Sequence, residues 1–156
     1  VIDCEKVTLY VEPGSAIIGS TTDLVTTVLD TKETSLACIV TTDGSRIHID
    51  PLWKKNRYRY AIVPNEKRLP TSTKKQVICG YTCMDHDRIM SLDDERILQP
   101  GDQIVYQRVG AYTMTFGGAF IRYLPEVYVE SNGELLCVRS EMSVKDYIAL
   151  HSNNRS

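Results

Sequence analysis

Short β-branched and aromatic runs, each cut off by turn residues, recur along this chain, and only its tail changes to a helical period. The runs cover residues 7–11, 24–29, 35–40, 60–63, 103–109, 126–129 and 134–138. Such segments suit a pleated, half-buried surface better than a helix. Glu12-Pro13-Gly14 stops the first, and Pro100-Gly101 launches the run from Gln103. Thr42-Asp43-Gly44-Ser45 predicts a hairpin between residues 37–41 and 46–49, and Ser131-Asn132-Gly133 predicts another near the end. Ser143-Val144-Lys145-Asp146 reads as a capping box with Asp in the usual Glu place; Val144, Tyr147 and Ile148 share the face of the helix it opens. The expected fold is mainly β, a Greek-key barrel or sandwich with one short C-terminal helix.

A chain of 156 residues holds one domain, or one domain with a fragment of its neighbour. An apolar and aromatic share of 42% is enough for a real core. A net charge of -2 gives no whole-molecule field to draw the protein to nucleic acid or an anionic membrane. No apolar run approaches the roughly 18 residues of a spanning helix. Val1 rather than Met at the start suggests a piece of a longer chain. The five cysteines, Cys4, Cys38, Cys79, Cys83 and Cys137, are odd in number and form no Cys-x-x-Cys pair. His48, His86 and His151 sit at no ligand spacing. Reduced thiols in a cytoplasmic protein, without a disulfide framework or a metal, are the expectation.

Two motifs concentrate the chemistry within residues 76–129. Gly80-Tyr81-Thr82-Cys83-Met84-Asp85-His86-Asp87 sets a thiol in a glycine-opened loop, and Gly110-Ala111-Tyr112 sets a phenol in a turn. Taken singly, a cysteine is more often an inert buried thiol, and Tyr112 could simply fill the core. Asp87 reads as structural, fixing the loop after Cys83, and Asp43 as a turn former. His86 has no partner visible in the sequence. Trp53, Arg57, Tyr58 and Tyr60 could form a base-stacking surface, although a cationic loop whose aromatics pack inward is the commoner outcome. Residues 64–75 read as a surface loop, and Lys54, Lys55, Lys67, Lys74 and Lys75 as loop or surface charges.

These motifs stand in an order that resembles the C-terminal part of the fold-type III pyridoxal-phosphate decarboxylases, the family of ornithine, diaminopimelate and carboxynorspermidine decarboxylases. Glu12-Pro13-Gly14 comes first, then Gly80 to Cys83 with Asp87 four residues on, then Gly101-Asp102 leading to Gly110-Ala111-Tyr112. The resemblance spans residues 7–150. It implies that residues 1–19 are the end of a (β/α)8 barrel and a linker, and residues 20–156 a C-terminal β-sandwich or barrel domain. Glu12 would pair with the pyridine nitrogen of pyridoxal 5'-phosphate and keep it protonated, so that the ring can take up electrons as CO2 leaves. Gly14 would let the backbone approach the phosphate, and Tyr112 would hydrogen-bond it. Cys83 would return a proton to the α-carbon; a free thiol, with pKa about 8.5, is mostly protonated at neutral pH. The resemblance further implies a homodimer in which Cys83 enters the partner's site.

Two positions depart from the family's pattern. Ser15 stands where Arg commonly follows Glu-Pro-Gly, and Met84 stands where an acidic residue commonly faces the substrate's distal amine. A thioether cannot pair with an ammonium ion, although Asp85 is adjacent. The expected substrate is therefore an amino acid without a free distal amine, or with a large acyl or conjugated group there, as in siderophore or antibiotic pathway decarboxylases. The lysine that carries the cofactor as a Schiff base belongs to the barrel, which needs about 250 residues and cannot fit here. A second class of function stays open: a non-catalytic β-barrel binding module, taking oligonucleotide on the Trp53–Tyr60 surface, or a regulatory relative of the decarboxylases. Retention of Glu12, Cys83 and Tyr112 favours the enzyme portion, whereas salt-dependent nucleic-acid binding would favour the module.

Overall fold

The structure, a computed structural model, describes residues 6–50, 52–65, 74–93 and 97–152. Cys4, Lys67 and the middle of the expected 64–75 loop lie outside them. The chain divides into two compact units, Val1–Phe116 and Gly117–Ser156. Its architecture is mainly β, as the turn-punctuated sequence leads one to expect.

The first unit is a six-stranded sheet in the order β3-β6-β1-β2-β4-β5. Its strands are β1 (Leu24–Glu33), β2 (Cys38–Thr42), β3 (Arg59–Val63), β4 (Gln76–Cys79), β5 (Arg88–Leu92) and β6 (Gln103–Gln107). The sheet turns on β1. Its first residues pair with β6, from Leu24 opposite Tyr106 to Thr27 opposite Gln103. Its later residues pair with β2, and the register shifts between Val28 and Asp30. A bulge of this kind bends a strand and raises its twist, which lets one strand serve two differently directed halves of a sheet. The bend is gripped from both sides. Asp43 donates its N–H to Thr27 O at 3.0 Å and accepts from Thr27 N at 2.7 Å, while Val28 donates to Asp102 O at 2.8 Å.

Inward positions alternate along β2 and β6, so that Cys38, Val40, Ile104 and Tyr106 join Val28, Ile49, Ile78, Ile89 and Leu98 in one core. Each such aliphatic side chain contributes about 1.5–3 kcal/mol by leaving water. Asp102 is buried too, and its carboxylate accepts from Asn65 N at 3.0 Å and Gln99 N at 2.9 Å. Strands β2 and β4 run parallel, so the chain between them must cross over. That crossover carries a 3-10 turn, Arg46–His48, before it forms β3.

Two expectations are corrected. Residues 7–11 are not a buried strand: they are exposed, with Leu9 82% and Tyr10 88% accessible, and no described strand pairs with them. Their β-branched pattern is sound, but a strand needs a neighbour. Asp43-Gly44 does not turn a hairpin either. Ser45 caps the 3-10 turn by accepting from Ile47 N, and Arg46 gives its N–H to Asp87 Oδ1 at 2.7 Å. A donor that a hairpin ladder would use is thus taken by a carboxylate 41 residues away.

The second unit holds a hairpin of β7 (Val127–Ser131) and β8 (Glu134–Arg139) and the helix α3 (Val144–His151). Asn132 (φ 53°) and Gly133 (φ 82°) make the turn, the residue pair that a tight hairpin demands. The predicted capping box is present: Ser143 Oγ accepts from Asp146 N, and Asp146 Oδ2 accepts from Ser143 N at 2.8 Å. No described residue of this unit is buried. No described helix is long and apolar enough to cross a membrane, and no group of three or more His, Cys, Asp and Glu among the described residues could hold a metal.

Candidate functional site

The Glu-Pro-Gly turn and the Gly-Ala-Tyr turn meet. Gly14 precedes a single helical turn, α1 (Ser15–Ile18), and its carbonyl accepts from Ile17 N and Ile18 N. The 3-10 turn Gly19–Thr21 follows and receives the other motif: Gly110 donates to Gly19 O at 3.1 Å and Val109 to Thr22 O at 2.8 Å. Arg108 adds a backbone bond to Asp23 Oδ1. Gly110 is required here, because a Cβ would lie 2.4 Å from Ile18 O. Tyr112 follows in the left-handed region (φ 66°) and stacks edge-on against Phe116 of α2 (Thr113–Phe116) at 5.8 Å.

The outcome is a phenol beside a bare backbone. A Cβ on Gly14 would stand 3.6 Å from Tyr112 Oη, and no described hydrogen bond engages that hydroxyl. A donor left open next to a side-chain-free stretch of backbone has the chemistry for a phosphate group. Glu12, two residues earlier, is exposed. The residues present therefore fit the phosphate of pyridoxal 5'-phosphate.

Cys83 lies exposed at the crest of the loop joining β4 to β5. Below it, Asp87 is 2% accessible and collects donors from both sides. Within the loop it accepts from Thr82 N at 3.1 Å and Thr82 Oγ1 at 2.6 Å. From the crossover it accepts from Ser45 Oγ at 3.0 Å and Arg46 N at 2.7 Å. Gly80 must be glycine because a Cβ there would fall 2.2 Å from Asp87 Oδ2. The structural reading of Asp87 holds. Met84 is half-buried and gives its carbonyl to Asp87 N at 2.9 Å, whereas Asp85 is exposed. Cys38 is buried and Cys79 half-buried, and burial pushes both thiols up, away from thiolate chemistry, whereas Cys137 is exposed.

Among the described residues, no hydrogen bond or ring contact joins Cys83 to Glu12, Gly14 or Tyr112. The two motifs are tied instead through the crossover, because α2 packs beside the Arg46–His48 turn that Asp87 holds. The sequence did not disclose this segment's part. Tyr81 Oη lies 3.4 Å from His48 Nε2, and Tyr81 N donates to Gly44 O. Trp53 meets His86 edge-on at 6.0 Å, with the Arg46 guanidinium 5.6 Å from its ring. Arg46 is itself fixed by Asp50 at 3.0 Å and by the carbonyls of Arg88 and Lys55. Arg46, Trp53, Asp85, His86 and Arg88 line an open pocket of about 410 Å³. Tyr58 and Tyr60 pack on the core, Tyr58 edge-on to Tyr106 at 5.7 Å, so the inward reading of those aromatics is the one realised.

No family profile matches the chain. It is 30% identical over 149 residues to the carboxynorspermidine/carboxyspermidine decarboxylase of Herminiimonas arsenicoxydans, covering 92% of this chain and 38% of that protein. In structure it is similar to a diaminopimelate decarboxylase (TM-score 0.77, 18% identity, 89% of this chain, 36% of that one). It is also similar to Helicobacter pylori diaminopimelate decarboxylase complexed with L-lysine (TM-score 0.70, 23% identity, 90% and 34%). The arginine decarboxylase of Paramecium bursaria Chlorella virus, bound to agmatine, matches at a TM-score of 0.56 and 20% identity, over 65% of this chain and 28% of that one. The chain is thus similar to the C-terminal domain region of fold-type III decarboxylases, and it spans 38% of the Herminiimonas protein and 36% or less of those solved structures.

Proposed function

We propose that this chain is the C-terminal portion of a pyridoxal-phosphate-dependent amino-acid decarboxylase. The observation that carries the reading is the meeting of Gly14 with the unengaged Tyr112 hydroxyl, 3.6 Å from where a Cβ would stand. Residues 1–19 belong with the barrel that precedes the β-domain, and the exposed apolar residues 7–11 support this. Gly14 and Tyr112 hold the cofactor's phosphate, and the Glu12 carboxylate keeps its pyridine nitrogen protonated. The cofactor, when bound, supplies the electron sink for loss of CO2. Cys83 gives its S–H proton to the substrate's α-carbon. It does so in the partner's site of a homodimer, which accords with the lack of any described hydrogen bond or ring contact between Cys83 and Tyr112 in one chain.

The substrate is an amino acid whose distal nitrogen is conjugated. Met84 offers no charge to a free ammonium group. The test is borohydride reduction of the full-length protein, followed by peptide mass spectrometry for a pyridoxyl-lysine. Tyr112→Phe should bind the cofactor about tenfold more weakly with its fold intact, as befits one lost bond to a charged group. Cys83→Ala should keep the cofactor and lose turnover. A full-length protein that traps no pyridoxyl group would overturn the reading, and preference for free ornithine or lysine would overturn the substrate class.

A further inference from the structure

Trp53 is the one tryptophan of the chain, and its backbone lies in the left-handed region at φ 56°. A bulky residue seldom adopts this conformation, and it persists only where the surroundings over-determine it. Here the surroundings do so. The Arg46 guanidinium lies 5.6 Å from the indole centroid, His86 meets the ring edge at 6.0 Å, and Trp53 N donates to Asp50 O at 2.9 Å. Arg46 is anchored in turn by Asp50, so the indole rests on a fixed cation rather than a mobile one. His86 sits three residues from Cys83 in the same loop.

The loop is therefore held at three points by one stretch of crossover. Asp87 ties its base to Ser45 and Arg46, Tyr81 ties its rising side to His48, and His86 ties its falling side to Trp53. Only the last contact is made by a residue in a disfavoured backbone conformation. We propose that Trp53 is a positioning residue for Cys83: the strained indole fixes the falling side of the loop and with it the direction of the thiol. The proposal rests on the reading of Cys83 as the proton-returning group.

The experiment uses the full-length protein and two readouts. One is the alkylation rate of Cys83 by iodoacetamide, followed by peptide mass spectrometry, with the exposed thiol of Cys137 as internal control. The other is steady-state turnover. Trp53→Gly removes the indole and relieves the backbone. It should change Cys83 alkylation about threefold or more with Cys137 unchanged, and lower kcat about tenfold with KM within about twofold. Its melting temperature should not fall, because glycine favours the conformation that tryptophan resists. Trp53→Phe should recover most of both readouts, and His86→Ala, which cuts the same contact from the other side, should reproduce Trp53→Gly. Unchanged Cys83 alkylation in folded Trp53→Gly and His86→Ala overturns the proposal. Altered alkylation in a protein that binds no pyridoxal phosphate overturns the decarboxylase reading instead and leaves the tether standing.

Discussion

Glycine positions show how tightly single residues constrain the Cys83 loop. At Gly80 a methyl group would lie 2.2–2.6 Å from three atoms of the buried Asp87 carboxylate. That carboxylate cannot retreat without giving up its bonds to Ser45, Arg46 and Thr82. At Gly19 a methyl would find its nearest neighbour at 4.0 Å, and the backbone is helical there (φ -59°). Gly80→Ala should therefore destabilise the first unit by about 1–3 kcal/mol, whereas Gly19→Ala should be neutral or stabilise it by about 0.5 kcal/mol. Urea unfolding of the two variants checks this, and equal midpoints would refute it. The importance of Gly80 and Asp87 was legible, since a glycine opening a loop and an aspartate closing it are local signs. Ser45 and Trp53 were not legible: their partners stand 42 and 33 residues further on, and nothing in their own neighbourhoods points there.

At the scale of elements, the hairpin and helix closed by their own residues were read correctly, as were the runs that form β1, β3 and β6, whereas residues 7–11 and the Asp43-Gly44 turn were not. The β7–β8 hairpin depends on Asn132 and Gly133 alone, and α3 on a box of four residues. Residues 7–11 and the Asp43-Gly44 turn failed for the opposite reason, one lacking a neighbouring strand and the other losing its donor to Asp87. The start of α3 carries a pH dependence of definite sign. Hydrogen bonds from the Ser143 side chain, then from its backbone N–H, hold the Asp146 carboxyl below its ordinary 3.8. A group with a lowered folded value supports structure above the unfolded value and withdraws that support as pH falls through the folded one. The first turn of α3 should thus be intact above about pH 4 and fray in more acid solution. Amide shifts of Ser143 and Asp146 followed by NMR from pH 6 to pH 2 test this. Asp146→Asn should flatten the response, and a wild-type turn unmoved across that range would contradict the assignment.

For the molecule as a whole, the two units differ in how much of themselves they can bury. Val28, Val40, Ile78, Ile89 and Ile104 are all but inaccessible, whereas Leu135, Leu136, Val138, Ile148 and Leu150 of the second unit are all more than half exposed. A unit of 40 residues without a buried side chain among those described has little to oppose its own chain entropy. In the isolated chain, hydrogen exchange should be slowest at the core strands and fast throughout the hairpin and α3. If the chain is the portion proposed above, a barrel or second subunit covering this unit should slow the latter. Equal protection of both units in the isolated chain would show that the second needs no such cover. The pairing of β1 with β6 has a further consequence, for the newborn chain. Thr26 and Ile104, bonded across that pair, stand 78 positions apart in the order of synthesis. At roughly 5–20 residues per second, β1 leaves the ribosome about 4–16 s before its permanent neighbour exists. For that interval the strand on which the sheet turns is an open edge, and whatever shields it in the cell does so before the fold can.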